Sequence, residues 1–474
     1  MRITTPVQAH VIIGLAAGLL GWGVSQVFRP GLIGSDGMWQ VHQAWAGTFN
    51  DWSPPAMSVA LRWVLLTTGS LGTATLVQAV LGCAGLAQAA RAGLRFAFPA
   101  ALSARAEAAA AVGVVVVLLV PPSPLAYFLV YVQTDGWLLV ALPWAVAGWL
   151  NLLAGGRAAW WAAAVLGSTA AVLVRHNAVV LVPLIAVLAW LAAAGRARLP
   201  AAVAVAVLPL VAGPLLTWPY PVERLHPVDQ VLAVELVGVC VAREDLRAEL
   251  PYTNAHLIED RFRVKHVPGF VNTMYQYSPA EHRPTDVNFV GEVVDGTQRL
   301  GSRHAELVED YRRALRVAPG TVAGVKWQAF WGHLTMDHPG EHWHPTGIVS
   351  NTLGLAPNRG FAGFRERLAD VDRAADASPT GRRVVMNHLP WVIVNLVVVV
   401  VAGAAAWRGS RRAQAGLLVA LLPLGYVASY ALATAGPQYR YMYPSTLLVQ
   451  AGALVAVVGG VSCLLRRRQA TGPA

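Results

Sequence analysis

Residues 388–407 read HLPWVIVNLVVVVVAGAAAW and contain no Asp, Glu, Lys or Arg. A helix of about 20 apolar residues is long enough to cross the hydrocarbon core of a bilayer. Similar runs recur along the chain, in which charged residues make up 13% of the total against roughly 25% in soluble proteins. The sequence therefore predicts an all-α polytopic membrane protein with about ten transmembrane helices. The predicted spans are 8–28, 72–90, 106–121, 137–153, 158–174, 178–195, 200–217, 388–407, 414–434 and 445–465.

One long polar stretch, residues 218–387, separates the seventh and eighth predicted spans. Of the 25 acidic residues in the chain, 21 lie between Glu223 and Asp376. Apolar residues recur at helical spacing in several parts of this stretch, which predicts one mainly helical extracytoplasmic domain. The chain therefore divides into an N-terminal transmembrane module (1–217), this domain (218–387) and a C-terminal transmembrane module with a basic tail (388–474).

The arginines near the span ends predict the orientation. With a cytoplasmic N-terminus, 13 arginines fall on the cytoplasmic side and four on the outer side, apart from the long polar stretch. Short cytoplasmic loops collect Arg and Lys, so both termini are predicted to be cytoplasmic and residues 218–387 extracytoplasmic. The formal charge of +11 is then mainly a topology signal, and no nucleic-acid partner is predicted. The preference for Arg over Lys is typical of a GC-rich bacterium, which indicates a bacterial cell membrane.

Four acidic residues lie outside the long polar stretch: Asp36, Asp51, Glu107 and Asp135. A carboxylate at the centre of a membrane helix costs roughly 2.5–3.5 kcal/mol on insertion scales, so acids kept near a bilayer are candidates for chemistry. Asp36, Asp51 and Asp135 are predicted to lie in outer loops. Asp36 and Asp135 are the predicted catalytic residues and Asp51 a predicted substrate contact. The alternative for each is a helix N-cap.

Residues 29–69 form a first outer loop that is too long for a tight turn. Pro54-Pro55 is predicted to begin a short amphipathic helix, 56–67, lying in the outer interface. The alternative is one long helix over 56–90 with a kink at residues 69–72.

Two basic segments flank later spans on the same predicted face. Arg175-His176-Asn177 follows the fifth span, and residues 438–444, QYRYMYP, precede the last one. Guanidinium stays charged and can grip phosphate oxygens with two hydrogen bonds. Arg175, His176, Arg440 and Tyr441 are therefore predicted to bind substrate. The alternatives are arginines that extend toward lipid head groups and tyrosines of an interfacial belt.

These motifs together resemble the GT-C superfamily of integral-membrane glycosyltransferases, which includes protein O-mannosyltransferases and aminoarabinose transferases. In that family an acid in the first outer loop serves the reaction, a second acid begins the fourth helix, a Pro-Pro pair often opens an interfacial helix, and an Arg-Tyr-x-x-Pro-like segment precedes a late span. The matching residues are Asp36, Asp135, Pro54-Pro55 and 440–444. The resemblance implies transfer of a sugar from a polyprenyl-phosphate donor to a saccharide, lipid or protein acceptor on the outer face.

The reaction chemistry assigns roles to these residues. The leaving phosphate needs positive charge, which Arg175 and Arg440 supply, and the attacking hydroxyl benefits from a base, which is predicted to be Asp36. One displacement would invert the anomeric configuration. The family often pairs two acids in the first loop, whereas Asp36 is followed by Gly37. A single carboxylate counts against a bound divalent metal, so no cofactor is assigned.

Two other features of the polar stretch carry predictions. The histidine-rich residues 333–344 contain His338-x3-His342, and a place near the sugar or phosphate is predicted, with structural zinc as the alternative. Trp327 and Trp331, four apart, are predicted to pack in the core of the domain, with stacking on a sugar as the alternative.

Two other classes of function compete with sugar transfer. They are a transporter or flippase of a lipid-linked or polar substrate, and a non-catalytic protein of cell-envelope assembly. Transporters place ionisable groups or broken helices near the middle of the bilayer. Here the middles of the predicted spans carry no acid or base, and the polar groups gather at one face, which favours a reaction at that face.

Overall fold

The computed structural model describes residues 5–99, 101–224, 226–255, 304–335, 347–381, 384–385, 387–432 and 439–470. These residues are mainly helical, and their single sheet has two strands of two residues each. The helices up to residue 217 are α1 (Thr5–Phe28), α2 (Ser35–Ala46), α3 (Pro55–Thr68), α4 (Leu71–Ala97), α5 (Ala104–Leu119), α6 (Leu125–Phe128), α7 (Thr134–Leu153), α8 (Ala159–Val174), α9 (Val182–Ala192) and α10 (Arg198–Thr217).

The later helices are α11 (Val228–Ala242), α12 (His304–Val317), α13 (Pro319–Thr335), α14 (Ala362–Ala377), α15 (Pro379–Gly381), α16 (Leu389–Trp407), α17 (Arg411–Leu432) and α18 (Tyr439–Ala470). The 3₁₀ helices are His176–Leu181, Gly195–Ala197, Glu244–Glu249 and Arg359–Phe361. The strands are β1 (Phe49–Asn50) and β2 (Val222–Glu223).

Within the described residues, seven helices are long and apolar enough to cross a membrane, which supports a multi-pass membrane protein. Three of the ten predicted spans fall on shorter segments: α5, α8 and residues 176–192, with 16, 16 and 17 residues. A helix of 16 residues is about 24 Å long, less than the roughly 30 Å of a typical hydrocarbon core. Seven spans therefore have the expected length, and ten remain a prediction. The seven are Val7–Phe28, Leu71–Ala97, Thr134–Leu153, Gly195–Thr217, Leu389–Trp407, Arg412–Leu432 and Tyr439–Arg467.

Two apolar cores hold the long helices together. In the first core, α1, α4, α5 and α18 pack around buried side chains such as Ile13, Leu86 and Leu447. In the second core, α7, α8, α9 and α17 pack around Trp149 and Leu181. Helix α4 contacts α1 and α7, and α18 contacts α4 and α7, so the ends of α7, α8 and α18 that carry polar residues are brought close together.

The first outer loop folds into two helices, α2 and α3. Helix α3 matches the helix predicted over 56–67, and Gly69, in the left-handed conformation, ends it before α4 begins at Leu71. Residues 55–97 are therefore two helices and not one kinked helix. Helix α2 is not among the predicted elements, and it places Asp36 in its first turn.

The described parts of 218–387 contact the rest of the chain at several places. Helices α11, α12 and α13 share their own apolar core, which includes Leu236, Leu307 and Val322. Strand β2 pairs with β1 of the first outer loop. Residues 348–355 pack on α2 and α3, and Arg365 of α14 donates a hydrogen bond to the Val27 carbonyl at the end of α1 (2.8 Å).

The prediction that Trp327 and Trp331 pack in the core is wrong. Their side chains on α13 are 58% and 41% exposed. The inward face of α13 is formed instead by residues such as Val322, Val325 and Ala329, and the two tryptophans project from the other side of the helix. Helical spacing predicts which residues share a face, but it does not predict which face turns inward.

Candidate functional site

Four charged side chains meet where four helices begin or end. Asp36 lies in the first turn of α2, Asp135 in the first turn of α7, and Arg440 in the first turn of α18. Arg175 directly follows α8. The structure brings these residues together, although Asp36 and Arg440 are 404 positions apart. We call Asp36, Asp135, Arg175 and Arg440 the charge cluster.

Arg440 is held by three partners. Its Nη2 donates to Oδ2 of Asp36 at 2.6 Å, and its Nη1 donates to Oε1 of Gln133 at 2.5 Å and to the hydroxyl oxygen of Tyr131 at 3.0 Å. Its Nε lies 3.9 Å from Oδ2 of Asp135. Both ends of the guanidinium are thus fixed, which orients it toward the Asp36 carboxylate.

Gln133 connects the acid and the arginine. Its Nε2 donates to Oδ2 of Asp36 at 2.8 Å while its Oε1 accepts from Arg440. Both hydrogen bonds to the Asp36 carboxylate therefore fall on Oδ2, and Oδ1 has no protein partner in the part of the chain that the structure describes. The Asp36 side chain is 26% exposed. One carboxylate oxygen is therefore free to accept a proton from a bound molecule.

Asp135 has a different environment, because its side chain is 0% exposed. Nη1 of Arg175 lies 2.9 Å from Oδ1 of Asp135, but neither carboxylate oxygen accepts a hydrogen bond with good geometry from another side chain. The attraction is thus mainly Coulombic, and Arg175 makes its hydrogen bonds to the hydroxyls of Thr134 (3.2 Å) and Tyr430 (2.9 Å). Asp135 was predicted to be catalytic. In this geometry it holds two arginines and is not exposed to a substrate.

The N-cap alternatives do not describe the two acids of the cluster. Gly34 is the N-cap of α2 and Gln133 that of α7, and neither helix has a side-chain cap hydrogen bond. For Asp51, the N-cap of α3 is Pro54. Asp36 and Asp135 instead lie in first turns, where the helix dipole favours a negative charge.

Tyr441 lies between the two arginines. Its ring centroid is 4.8 Å from Cζ of Arg175 and 5.1 Å from Cζ of Arg440, which is cation–π distance. The ring also stacks on Tyr430, with centroids 5.7 Å apart, and His333 of α13 lies beside both tyrosines. The Tyr441 ring therefore contacts both positive charges of the cluster.

His176 and Asp51 lie next to each other on the Arg175 side. Nε2 of His176 donates to the backbone carbonyl of Asp51 at 3.2 Å. The backbone N–H of Asp51 donates to the carbonyl of Glu223, which extends the pairing of β1 with β2. These contacts are structural ones between the first outer loop and its neighbours.

Each acid of the cluster is followed by a glycine at a point of close approach. A Cβ on Gly37 would lie 2.1 Å from the backbone oxygen of Val132, and a Cβ on Gly136 would lie 2.5 Å from that of Tyr131. Only glycine fits such contacts without a shift of the backbone. The loop before α7 therefore packs closely against α2, which leaves no room for an acidic side chain at position 37.

Sequence reasoning did not assign roles to Tyr131, Gln133 and Tyr430. Gln133 is adjacent to the Thr134-Asp135 pair, and Tyr131 precedes it by two residues, so their closeness in sequence was a usable signal. Burial raises the pKa of Tyr131 to about 12, and its hydroxyl therefore stays neutral beside Arg440. Tyr430 had no such signal, because it lies in the middle of an apolar run.

The histidine-rich segment is only partly described. His333 is fully buried at the end of α13, whereas residues 336–346, which include His338, His342 and His344, lie outside the described residues. Among the residues that the structure describes, no group of three or more His, Cys, Asp or Glu side chains could hold a metal ion.

Comparisons of the chain with protein-family models, with curated proteins and with solved structures find no match. The GT-C resemblance therefore rests on the residues quoted from the sequence alone.

Proposed function

We propose that this protein is a membrane glycosyltransferase of GT-C type. It moves a sugar from a polyprenyl-phosphate donor to a saccharide, lipid or protein acceptor at the outer face of a bacterial cell membrane. In the proposed topology ten helices cross the bilayer, both termini are cytoplasmic, and residues 218–387 are extracytoplasmic. The charge cluster then faces the outer leaflet, where a lipid-linked donor can reach it.

The observation that carries this proposal is the contact between a partly exposed acid and a fixed arginine. Oδ1 of Asp36 is available while Oδ2 lies 2.6 Å from Arg440. A reaction that transfers a proton to a carboxylate and expels a phosphate needs both groups within a few ångströms of one carbon atom. The Asp36–Arg440 pair supplies that arrangement with one base and one cation.

The proposed step is a single displacement. The oxygen of the acceptor hydroxyl forms a bond to the anomeric carbon while the bond from that carbon to the phosphate oxygen breaks. The hydroxyl proton passes to Oδ1 of Asp36, and the electron pair of the broken bond stays on the phosphate. Because attack and departure occur on opposite sides of one carbon, the configuration inverts. General base catalysis of this kind contributes typically 10²–10⁴-fold.

Arg440 and Arg175 stabilise the departing phosphate in this proposal. Guanidinium groups bind phosphate oxygens in pairs, and they are more effective where water is partly excluded. Asp135 lies within 4 Å of both arginines, and the Tyr441 ring contacts both guanidinium groups. Asp135 is thus a positioning residue. His176 and Asp51 support the same edge of the site.

The position of the charged groups also bears on the alternatives. All four lie at helix ends, at one end of the bundle, whereas a transporter usually carries its ionisable groups near the middle of the bilayer. The geometry therefore favours a reaction at one face over passage through the bundle.

The test is an assay that distinguishes sugar transfer from movement of the lipid-linked sugar across the bilayer. Purified protein is reconstituted in vesicles with polyprenyl-phosphate donors that carry radiolabelled hexoses or pentoses and with an extract of membrane acceptors. A transferase moves the label from the lipid to an acceptor and releases polyprenyl phosphate. A flippase moves the label across the bilayer while it stays on the lipid, and that result would reject the proposal.

A further inference from the structure

Helix α13 has an exposed face that carries no charge. Its exposed positions in the described structure recur at helical spacing and include two glycines and two tryptophans. They are Pro319, Gly320, Ala323, Gly324, Trp327, Gln328 and Trp331. A helix face turned toward water usually carries charged residues. The absence of charge on this face therefore indicates that it contacts something other than water.

The two tryptophans dominate that face. Trp327 and Trp331 are one turn apart, their ring centroids are 5.9 Å apart, and both are among the exposed large apolar side chains. Tryptophan is enriched where protein surfaces meet the head groups of a bilayer, because its ring is amphipathic. Trp218, which directly follows the candidate span Gly195–Thr217, is also exposed.

The position of α13 along the bundle is fixed by Lys326. Its Nζ donates to the backbone carbonyl of Leu432, the last residue of α17, at 2.8 Å and to Oε1 of Glu235 in α11 at 2.6 Å. Helix α17 is a candidate membrane span, so in the proposed topology its final residue lies near the outer edge of the bilayer. Trp327 is adjacent to the residue that makes this contact.

The neighbouring helix α12 differs from α13 in the composition of its exposed surface. Its exposed surface carries charges, including Glu306, Arg312 and Arg316, as expected of a helix in water. The apolar core that α13 shares with α11 and α12 lies on the opposite side, at Val322 and Val325. The uncharged face of α13 is thus turned away from its own domain.

We propose that α13 lies in the head-group region of the leaflet at the charge-cluster end of the bundle, with Trp327 and Trp331 inserted among the phospholipids. The partner is the lipid bilayer, and the surface is continuous with the lipid-facing end of α17. This inference does not depend on sugar transfer. Exposed tryptophans on an uncharged helix face are typical of a protein surface in the head-group region of a bilayer.

The arrangement has a consequence for the charge cluster. Helix α13 carries His333, whose ring lies 5.8 Å from that of Tyr441. A helix that rests on lipid and also contacts Tyr441 holds the cluster at head-group depth. Any substrate with a phosphate in the lipid head-group layer would meet the arginines without leaving that layer.

The experiment measures depth at three single positions by electron paramagnetic resonance. Spin labels are placed by Gln328→Cys between the two tryptophans, by Val400→Cys on the exposed surface of the span α16, and by Glu244→Cys on an exposed charged turn of the outer segment. The native Cys463 is replaced by Ser, and the other two cysteines are buried. The protein is studied in phosphatidylglycerol and phosphatidylethanolamine nanodiscs with oxygen and a nickel chelate as relaxing agents.

We expect a ratio of oxygen to nickel accessibility at residue 328 that lies between the high value at 400 and the low value at 244. The double variant Trp327→Ser, Trp331→Ser should lower that ratio toward the value at 244. A label at 328 that matches the one at 244 overturns the proposal. So does a label that neither agent reaches, because that result indicates a protein partner on this face.

Discussion

Replacing Asp36 by Asn should tighten the binding of a phosphate lipid while it slows turnover. In the resting protein, Asp36 occupies Arg440 through a hydrogen bond of 2.6 Å between two charged groups. Hydrogen bonds to charged groups contribute about 1.5–3 kcal/mol. A phosphate must displace Asp36 before it can bind Arg440. Breaking the Asp36–Arg440 hydrogen bond therefore reduces the net free energy of phosphate binding in the wild type. The neutral amide oxygen of Asn can still accept from Arg440, so only part of this energy is released, and the Asn variant should bind polyprenyl phosphate up to about tenfold more tightly.

Turnover should change in the opposite direction. The amide keeps the shape of the side chain and can still accept from Gln133, but it cannot take a proton from the attacking hydroxyl. We expect the rate of sugar transfer to fall by about 10²–10⁴-fold, the usual contribution of a general base. Tighter binding with slower turnover identifies Asp36 as a base that also competes with phosphate for Arg440. A residue that only supports the fold would give the opposite result, because loss of structure lowers both the affinity and the turnover.

The measurement uses protein in nanodiscs, with equilibrium binding of polyprenyl phosphate and transfer of labelled sugar recorded for the same preparations. Asp370→Asn, which removes an exposed acid on α14, serves as the control for the change in net charge. In the double variant Asp36→Asn, Arg440→Ala the gain in binding should vanish. If Asp36→Asn binds polyprenyl phosphate no more tightly than the wild type, the exchange at Arg440 is refuted. Retention of more than roughly a tenth of wild-type turnover refutes Asp36 as the base.

Three other substitutions test the same geometry. Arg440→Ala should weaken polyprenyl phosphate binding at least about tenfold and lower the transfer rate as well, because the phosphate is charged before and during the reaction; a variant with normal affinity would contradict this. Arg175→Met should destabilise the protein by about 3–5 kcal/mol in thermal unfolding, since it leaves the buried Asp135 charge with a weaker partner, and adding Asp135→Asn should restore part of the loss. Gly37→Ala should reduce transfer more than about tenfold at nearly normal protein yield, because a Cβ 2.1 Å from the Val132 oxygen must displace α2; an unimpaired variant would show that the loop tolerates the shift.

Much of the architecture was predictable from hydropathy. Apolar runs predicted the long helices because a membrane span needs about 20 apolar residues, and this length requirement leaves few alternatives. The sequence allowed either a separate short helix before Gly69 or one long kinked helix, and the structure shows two helices that are separated at Gly69. The inward face of α13 was not predictable, because both of its faces carry large apolar residues, and only contact with α11 selects the one at Val322.

The site was predictable to the level of its charged members. Acids and arginines are costly near lipid, so the few that remain in outer loops were strong candidates, and the structure brings Asp36, Asp135, Arg175 and Arg440 together. The difference in burial between Asp36 and Asp135 was not predictable. Whether a carboxylate is buried or partly exposed depends on how α2 and α7 meet, and that depends on contacts at Gly37 and Gly136 that no local pattern records.

The balance of charges in the cluster explains why the proposed reaction needs both acids. Two carboxylates and two guanidiniums sum to zero in the resting state, which suits a poorly hydrated site where unpaired charge is expensive. A phosphodiester donor adds one negative charge. In the transfer step Asp36 gains a proton and becomes neutral, while the departing phosphate gains a second negative charge. The net charge of the site is therefore unchanged, and one negative charge has moved from one side of Arg440 to the other. Without Asp135 the resting cluster would carry a net positive charge and would hold the released phosphate more tightly. In the proposed reaction the buried acid would therefore favour product release, and the partly exposed acid would carry the proton.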